Sequence, residues 1–166
     1  MIMLFGVFEA GFLFRDYLTV GNATREGARE ASVAANTGLA DYRTLEAIER
    51  AASALPDAAI EKIVIFEATG PDDTVPAACL GSAQTGLCNV YTAADFDRPT
   101  GDFGCELIPP DPDSYWCPFD REVSAGTGQD YIGIHIRMEH RYMTGLFGDA
   151  VSIDDTTIFK VEAQEG

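Results

Sequence analysis

The chain has 166 residues, which suits one domain, and its 46% apolar content excludes wholesale disorder. Its formal net charge is −16, from 27 acidic and 11 basic residues, and 14 of the acids against 3 of the bases fall between residues 56 and 130. A surface this acidic repels phosphate backbones, which excludes a nucleic-acid partner and suits solubility or cation binding instead.

Met1 to Phe14 carries a single charge, Glu9. This run is shorter than the about 20 residues of a bilayer-spanning helix. It also lacks the basic leader and small-residue cleavage site of a signal peptide. No proline precedes Pro56, so the pattern predicts one helix from Met1 to about Asn36, on the order of 50 Å long at about 1.5 Å per residue. Ala23, Gly27, Ala31 and Ala35 recur every four residues and form a small-residue stripe that lets another helix approach closely. Arg25 and Arg29 can pair with Glu26 and Glu30 at helical spacing. So long a helix exceeds what a small domain covers, and part of it must bury its surface in lipid or neighbouring subunits. Phe5, Phe8 and Phe12 are the side chains expected there. Glu9, costly to bury as a charge, is expected to pair with a basic group or N-terminal amine of a neighbouring subunit.

"TLEAIERAASALP" places Leu45, Ile48, Ala52 and Leu55 on one face and predicts a second helix stopped by Pro56. "AIEKIVIFEAT" follows as a β-rich run; Ile63 to Phe66 are all apolar, which predicts a central strand. From Gly70 to about Asp130 the chain is rich in Pro, Gly, Asp and Cys. A structureless loop of that length is unusual in a compact domain, so short strands and turns are expected. Cys79, Cys88, Cys105 and Cys117 all fall there, and none forms a C-x-x-C pair. That argues against a zinc ribbon and for two disulfides in an oxidising compartment. Of the three possible connectivities, sequential pairing closes two short loops and is preferred.

Asp95, Asp97 and Glu106 occupy positions 1, 3 and 12 of a calcium-loop template, but Pro99 and Thr100 stand where an oxygen ligand and a glycine belong. They form a weak calcium candidate, to which Asp102, Asp111 and Asp113 could add. No other cofactor or metal is expected. "YIGIHIRMEHRY" alternates, with Ile132, Ile134, Ile136 and Met138 on one face. "TGLFGDA" predicts a turn, and "VSIDDTTIFKVEA" a further strand with Val151, Ile153, Thr157, Phe159 and Val161 inward. His135 and His140, on opposite faces of a strand, share neither metal nor proton relay and are read as surface residues. No nucleophile elbow, zinc-protease or phosphate-loop motif occurs, and no catalytic residue is expected.

The segment "LFGVFEAGFLFRDYLTVGNATREGARE" resembles the N-terminal region of TadE-like pilins of bacterial tight-adherence pili. Glu9 with Gly11, and Asn22 to Arg29, fill the family's pattern, with Thr24 where alanine is usual. The closing strand, the "GLFG" turn and "FKVEA" are similar too, whereas the acidic middle has no family counterpart and looks like an insertion. Family members carry a leader and further apolar residues upstream, so measured against them the chain starts well inside the anchor.

The predicted elements outline an α+β fold: a protruding helix over 1–37, then a head over 38–166 in which 71–130 looks like an insertion. In that head a second helix leads into a mostly antiparallel sheet with disulfide-braced loops. The resemblance implies a non-enzymatic filament subunit at the cell surface. Such a subunit would pack with copies of itself or other pilins and be anchored in the inner membrane before assembly. The alternative is a membrane-anchored extracytoplasmic binding module that does not polymerise.

Overall fold

The computed structural model describes residues 2–56, 59–106, 110–124, 128–145 and 147–162. It is an α+β fold in which a helical layer covers one face of a four-stranded antiparallel sheet, and a disulfide-closed loop covers part of the other face.

The proline-free N-terminal segment forms one unbroken helix, α1 (Ile2–Ala34). It stops at Ala35, whose φ of 48° is the left-handed conformation that closes helix C-termini; the Ala35 amide donates to the Ala31 carbonyl at 3.0 Å. The chain then reverses into α2 (Ala40–Ala52). Leu45, Ile48 and Ala52 are buried on its inner face, and Leu55, just past its end, is buried with them. The helices pack closely because Gly27 meets Ile48: a Cβ at position 27 would lie 2.6 Å from Ile48 Cγ1. Ala23, Ala31 and Ala35 of the same stripe are likewise buried in the main core. The small-residue stripe thus admits a helix, but the helix is the chain's own α2 rather than a neighbour's.

The sheet runs in the order β2 (Cys88–Tyr91), β1 (Ile60–Ala68), β3 (Tyr131–Arg141), β4 (Ala150–Lys160). β1 is interior, and both its faces are covered. Ile63 and Ile65 face the helices, while Val64, Phe66 and Ala68 face the Cys79–Cys88 loop. This is why its sequence is continuously apolar rather than alternating. Ile132, Ile134, Ile136 and Met138 of β3 point into the helical side. On β4, Val151 and Thr157 are half-buried and Ile153 is buried, as is Val161 just beyond the strand. Phe159 departs from the expected inward set: it is 42% exposed near the end of the edge strand, which has a neighbouring strand on one side only.

Gly133 is required by its neighbour. Any Cβ there would sit 2.1 Å from Phe66 Cζ, because the Phe66 ring lies across the β3 backbone. Gly133→Ala is therefore expected to cost about 1–3 kcal/mol of stability through overpacking. Denaturant titration would read it, and adding Phe66→Leu should recover part of the loss because the two sites are coupled.

The β3–β4 hairpin lies alongside α1. Four side chains tie the two together: Glu9 accepts from the Thr144 amide (2.6 Å), Asp16 bonds His140 Nδ1 (2.7 Å), Thr24 donates to Asp155, and Ser32 donates to the Lys160 carbonyl (2.7 Å). From Glu9 to Ser32 the helix advances about 35 Å, and an 11-residue strand about 36 Å. Only the turns before Glu9 extend past the outermost of these contacts. From Glu9 to Ser32, α1 is therefore bound to the hairpin along its length. Residues 71–130 are joined to the head as well, since they supply β2 and a partner for each of Asp41's two carboxylate oxygens.

Candidate assembly surface

The outward face of the first five turns of α1 has no partner among the described residues. Met3, Leu4, Phe5, Val7, Phe8, Phe14, Tyr17 and Leu18 are all exposed, Phe8 to 57%. Phe12 is half-buried against the hairpin side. The hairpin tip continues this apolar patch. Met143 and Thr144 line a cleft of about 240 Å³ with Phe5, Phe8, Glu9 and Phe12. Phe147 sits beside Gly6, 3.8 Å from where a Cβ would stand. Among the described residues, no helix is long and apolar enough to cross a membrane.

Glu9 is turned away from that face. Its carboxylate is buried and held by the chain's own hairpin, so the place expected for a neighbouring subunit's cation or amine is filled internally. Burial pushes its pKa up. Hydrogen bonds from the Thr144 side chain and from the Thr144 and Met143 backbone, helped by the His140 ring, more than offset this and hold the carboxyl below its ordinary value. About two turns further on, Asp16 is buried between Arg15 (Nη2 to Oδ1, 2.7 Å) and His140. Both acids of the first 16 residues are thus consumed inside the chain. Thr24, which replaces the alanine usual in the resembling family, supplies the bond to Asp155.

Both histidines are buried, which corrects their reading as surface residues. Their backbone alternation places them on opposite faces, but each face is covered: His140 by α1, and His135 by its neighbours on β1 and β4. His135 Nδ1 pairs with Thr156 Oγ1 at 2.9 Å. Burial pushes the His135 ring below the ordinary imidazole value, with Arg137 and Lys62 acting the same way against Asp154 and Asp155. A depressed folded-state value means stability that is complete above the unfolded value of about 6.5 and is lost as pH falls. Unfolding free energies from urea titrations at pH 8 to 5 should fall with a slope of at most about 1.4 kcal/mol per pH unit from this group. His135→Gln should flatten that part of the profile.

The acidic region is organised by its own contacts. Cys79 bonds Cys88, and Cys105 bonds Cys117, the sequential pairing. Asp95 caps a turn by accepting from the Thr92 amide (2.7 Å) and hydroxyl (3.0 Å), and pairs with Arg98, which also reaches Asp102. Asp97 and Glu106 are exposed. Asp111 receives the Glu106 amide at 2.8 Å. Asp113 is buried and receives the Gly104 and Cys105 amides at 2.9 and 3.1 Å, an arrangement that uses the positive φ of both residues. Asp95, Asp102, Asp111 and Asp113 therefore face arginine, threonine or backbone amides. Among the described residues, no three His, Cys, Asp or Glu side chains gather as a metal site.

The polar centre of the head is one that sequence reasoning missed. Asp41, in the first turn of α2, is fully buried and accepts from Asn89 Nδ2 (2.8 Å), Tyr91 OH (2.7 Å) and Arg121 Nη2 (2.5 Å). The Arg121 guanidinium lies 4.3 Å above the Trp116 ring, and Asn89 Oδ1 receives the Trp116 amide. One carboxylate thus joins α2, the edge strand β2 and the segment that follows the Cys105–Cys117 loop.

A stem helix with one open apolar face, tethered to a disulfide-braced α+β head, defines a stem-and-head protein. Its stem carries a recognisable signature: the family model described as TadE-like protein matches residues 1–29, all of them N-terminal to the end of α1. No curated protein and no solved structure matches the chain.

Proposed function

We propose that the chain is a structural, non-catalytic subunit of a Tad-type surface pilus, docked through the open face of α1 and displaying its acidic head outward. The observation that carries this reading is the coincidence of the TadE-like segment with the unpartnered apolar face of α1. An exposed apolar patch of this extent on a small protein marks an interaction surface. Phe5, Phe8 and Phe12 supply its contacts, with other pilin subunits or copies of the chain as partners in the filament and the inner membrane as host before assembly. The stripe Ala23, Gly27, Ala31 and Ala35 instead fixes the stem to its own head. The two disulfides suit a head displayed outside the cell, and surface attachment is the role such a filament serves.

The test is electron microscopy of filaments sheared from cells, labelled with antibody against the head. Label repeated along thin filaments identifies a principal subunit, and label confined to ends identifies a tip or base subunit. Label absent from filaments overturns the reading in favour of an anchored module that does not polymerise.

A further inference from the structure

We infer that the free edge of β4 from Ser152 to Ile158 is a strand-addition site, which pairs with an extended segment of a partner chain that places a lysine or arginine opposite Asp154. β4 ends the sheet, and the strand at the opposite edge, β2, has only four residues. All eleven residues of β4 pair with β3 in one unbroken register, without bulge or proline.

That register fixes which way each backbone group points. In an antiparallel pair a residue turns its N–H and C=O to the same side, and successive residues alternate. The Tyr142 amide donates to the Asp149 carbonyl at 3.1 Å, and the Val161 amide donates to the Asp130 carbonyl at 2.9 Å. Odd-numbered residues therefore face β3 at both ends of the strand, and Ser152, Asp154, Thr156 and Ile158 turn their amides and carbonyls outward. Past Ile158 the outward positions are taken by α1. Ser32 Oγ donates to the Lys160 carbonyl at 2.7 Å, and the Glu162 amide donates to the Ser32 carbonyl at 3.1 Å. From residue 152 to 158 no such partner stands among the described residues. A row of free amides and carbonyls at strand spacing is a template for one more strand, and neither proline, bulge nor lysine blunts it here.

Charge decides the partner. From Asp149 to Glu162 the chain holds four acids, Asp149, Asp154, Asp155 and Glu162, against one base, Lys160. Lys160 sits over the Tyr131 ring at the closed end of the strand, and Asp155 is bound by Thr24 on the helical side. The neighbouring elements do not neutralise this edge. Residues 21–32 of α1 balance Arg25 and Arg29 with Glu26 and Glu30. On β3, Arg137 stands opposite Asp154 without forming an ion pair among the described residues, and Arg141 is held by Glu139. On β1, Lys62 is held by the Leu80 carbonyl. Asp154 is exposed and is the one charge among the four outward residues. A cation across from it stabilises a cross-strand pair, and a second acid does the opposite. A second copy of the chain brings a further formal charge of −16 to the contact, which disfavours edge-to-edge self-pairing.

This inference stands independently of the filament reading. Its test takes the full chain in solution with two synthetic peptides, acetyl-KVTVKVT-amide and acetyl-EVTVEVT-amide, and follows amide hydrogen exchange by nuclear magnetic resonance. In the chain alone, the amides of Ser152, Asp154, Thr156 and Ile158 should exchange freely, while those of Ile153, Asp155 and Thr157 are protected. The lysine peptide should slow the first four and bind about tenfold more tightly than the glutamate peptide. Asp154→Lys, a change at an exposed side chain, should reverse the order of the two peptides and leave thermal unfolding unchanged. Four outward amides already protected in the monomeric chain would overturn the inference. So would an absence of protection with either peptide, equal binding of both, or an unchanged order in Asp154→Lys. A dimer seen by sedimentation, with the same four amides protected and no peptide present, overturns it as well, because a second copy is then the occupant.

Discussion

Asp41→Ala is expected to lower the unfolding free energy by about 3–5 kcal/mol, because it strands a buried guanidinium without its counter-charge. The Arg121 side chain has no exposed surface through which to rehydrate, and its Nε and Nη1 atoms have no hydrogen-bond partner among the described residues. Asn89 Nδ2 keeps the Trp116 carbonyl as a partner, but the Tyr91 hydroxyl loses the acceptor that satisfies it. Asp41→Asn keeps the shape and removes the charge, and should fall between the native protein and Asp41→Ala. Denaturant titration followed by circular dichroism measures both; an unshifted midpoint in Asp41→Ala would show that the network contributes nothing net. The same residue predicts an alkaline signature. Burial first, and then the Asp41 carboxylate, push the Tyr91 hydroxyl well above the ordinary phenol value of about 10. A raised folded-state value contributes stability that is fully present below pH of about 10 and is lost as pH rises through the native value. Tyr91 should therefore ionise only with cooperative unfolding in an ultraviolet titration, and at lower pH once Asp41 is replaced.

Loss of both disulfides is expected to cost about 5–6 kcal/mol, from loop-closure entropies of about 2.5–3 kcal/mol each for loops of this length. That approaches the whole stability of an ordinary domain, about 5–15 kcal/mol. The two bonds close sequence separations of 9 and 12 residues. They differ in setting. Cys79 and Cys88 are fully buried under Val64 and Phe66, whereas Cys105 and Cys117 are half-buried around the Trp116–Arg121 stack. Reductant should reach Cys105–Cys117 first, and alkylation followed by mass spectrometry under native conditions would give the order. Replacing that pair should also couple with Asp41→Ala, since both act on the position of Trp116. Strictly additive losses would refute the coupling.

The local periodicities of this chain survive folding, and its long-range polar contacts leave no trace in them. The helix containing Leu45 and Ile48, the apolar run Ile63–Phe66 and the alternation of β3 are each fixed by which side of one element must be dry. The same reasoning placed Ala23, Gly27, Ala31 and Ala35 against a helix but could not say whose, because a stripe of small residues has no address. His135 and His140 were misjudged for a related reason: polarity predicts a wet surface only when no partner waits across the interface. Here Asp16 lies 124 residues from His140, and Thr156 lies 21 from His135. Asp41 looked like an ordinary first-turn acid, favourable at a helix N-terminus, and its three partners come from 48, 50 and 80 residues away. One signal was readable. Glu9, Asp16, Thr24 and Ser32 recur at intervals of seven or eight along α1 and mark the side that meets the hairpin.

That ladder has a consequence for biogenesis. Its rungs join residues 124 to 135 positions apart, so α1 leaves the ribosome well before the partners it will meet have been made. Contacts of such separation form late. Until β3 and β4 have been made the stem is a free amphipathic helix with both its apolar and small-residue sides uncovered, open to lipid or to an export partner. Closure of the β3–β4 hairpin removes the inner side from that competition and leaves the outer side available.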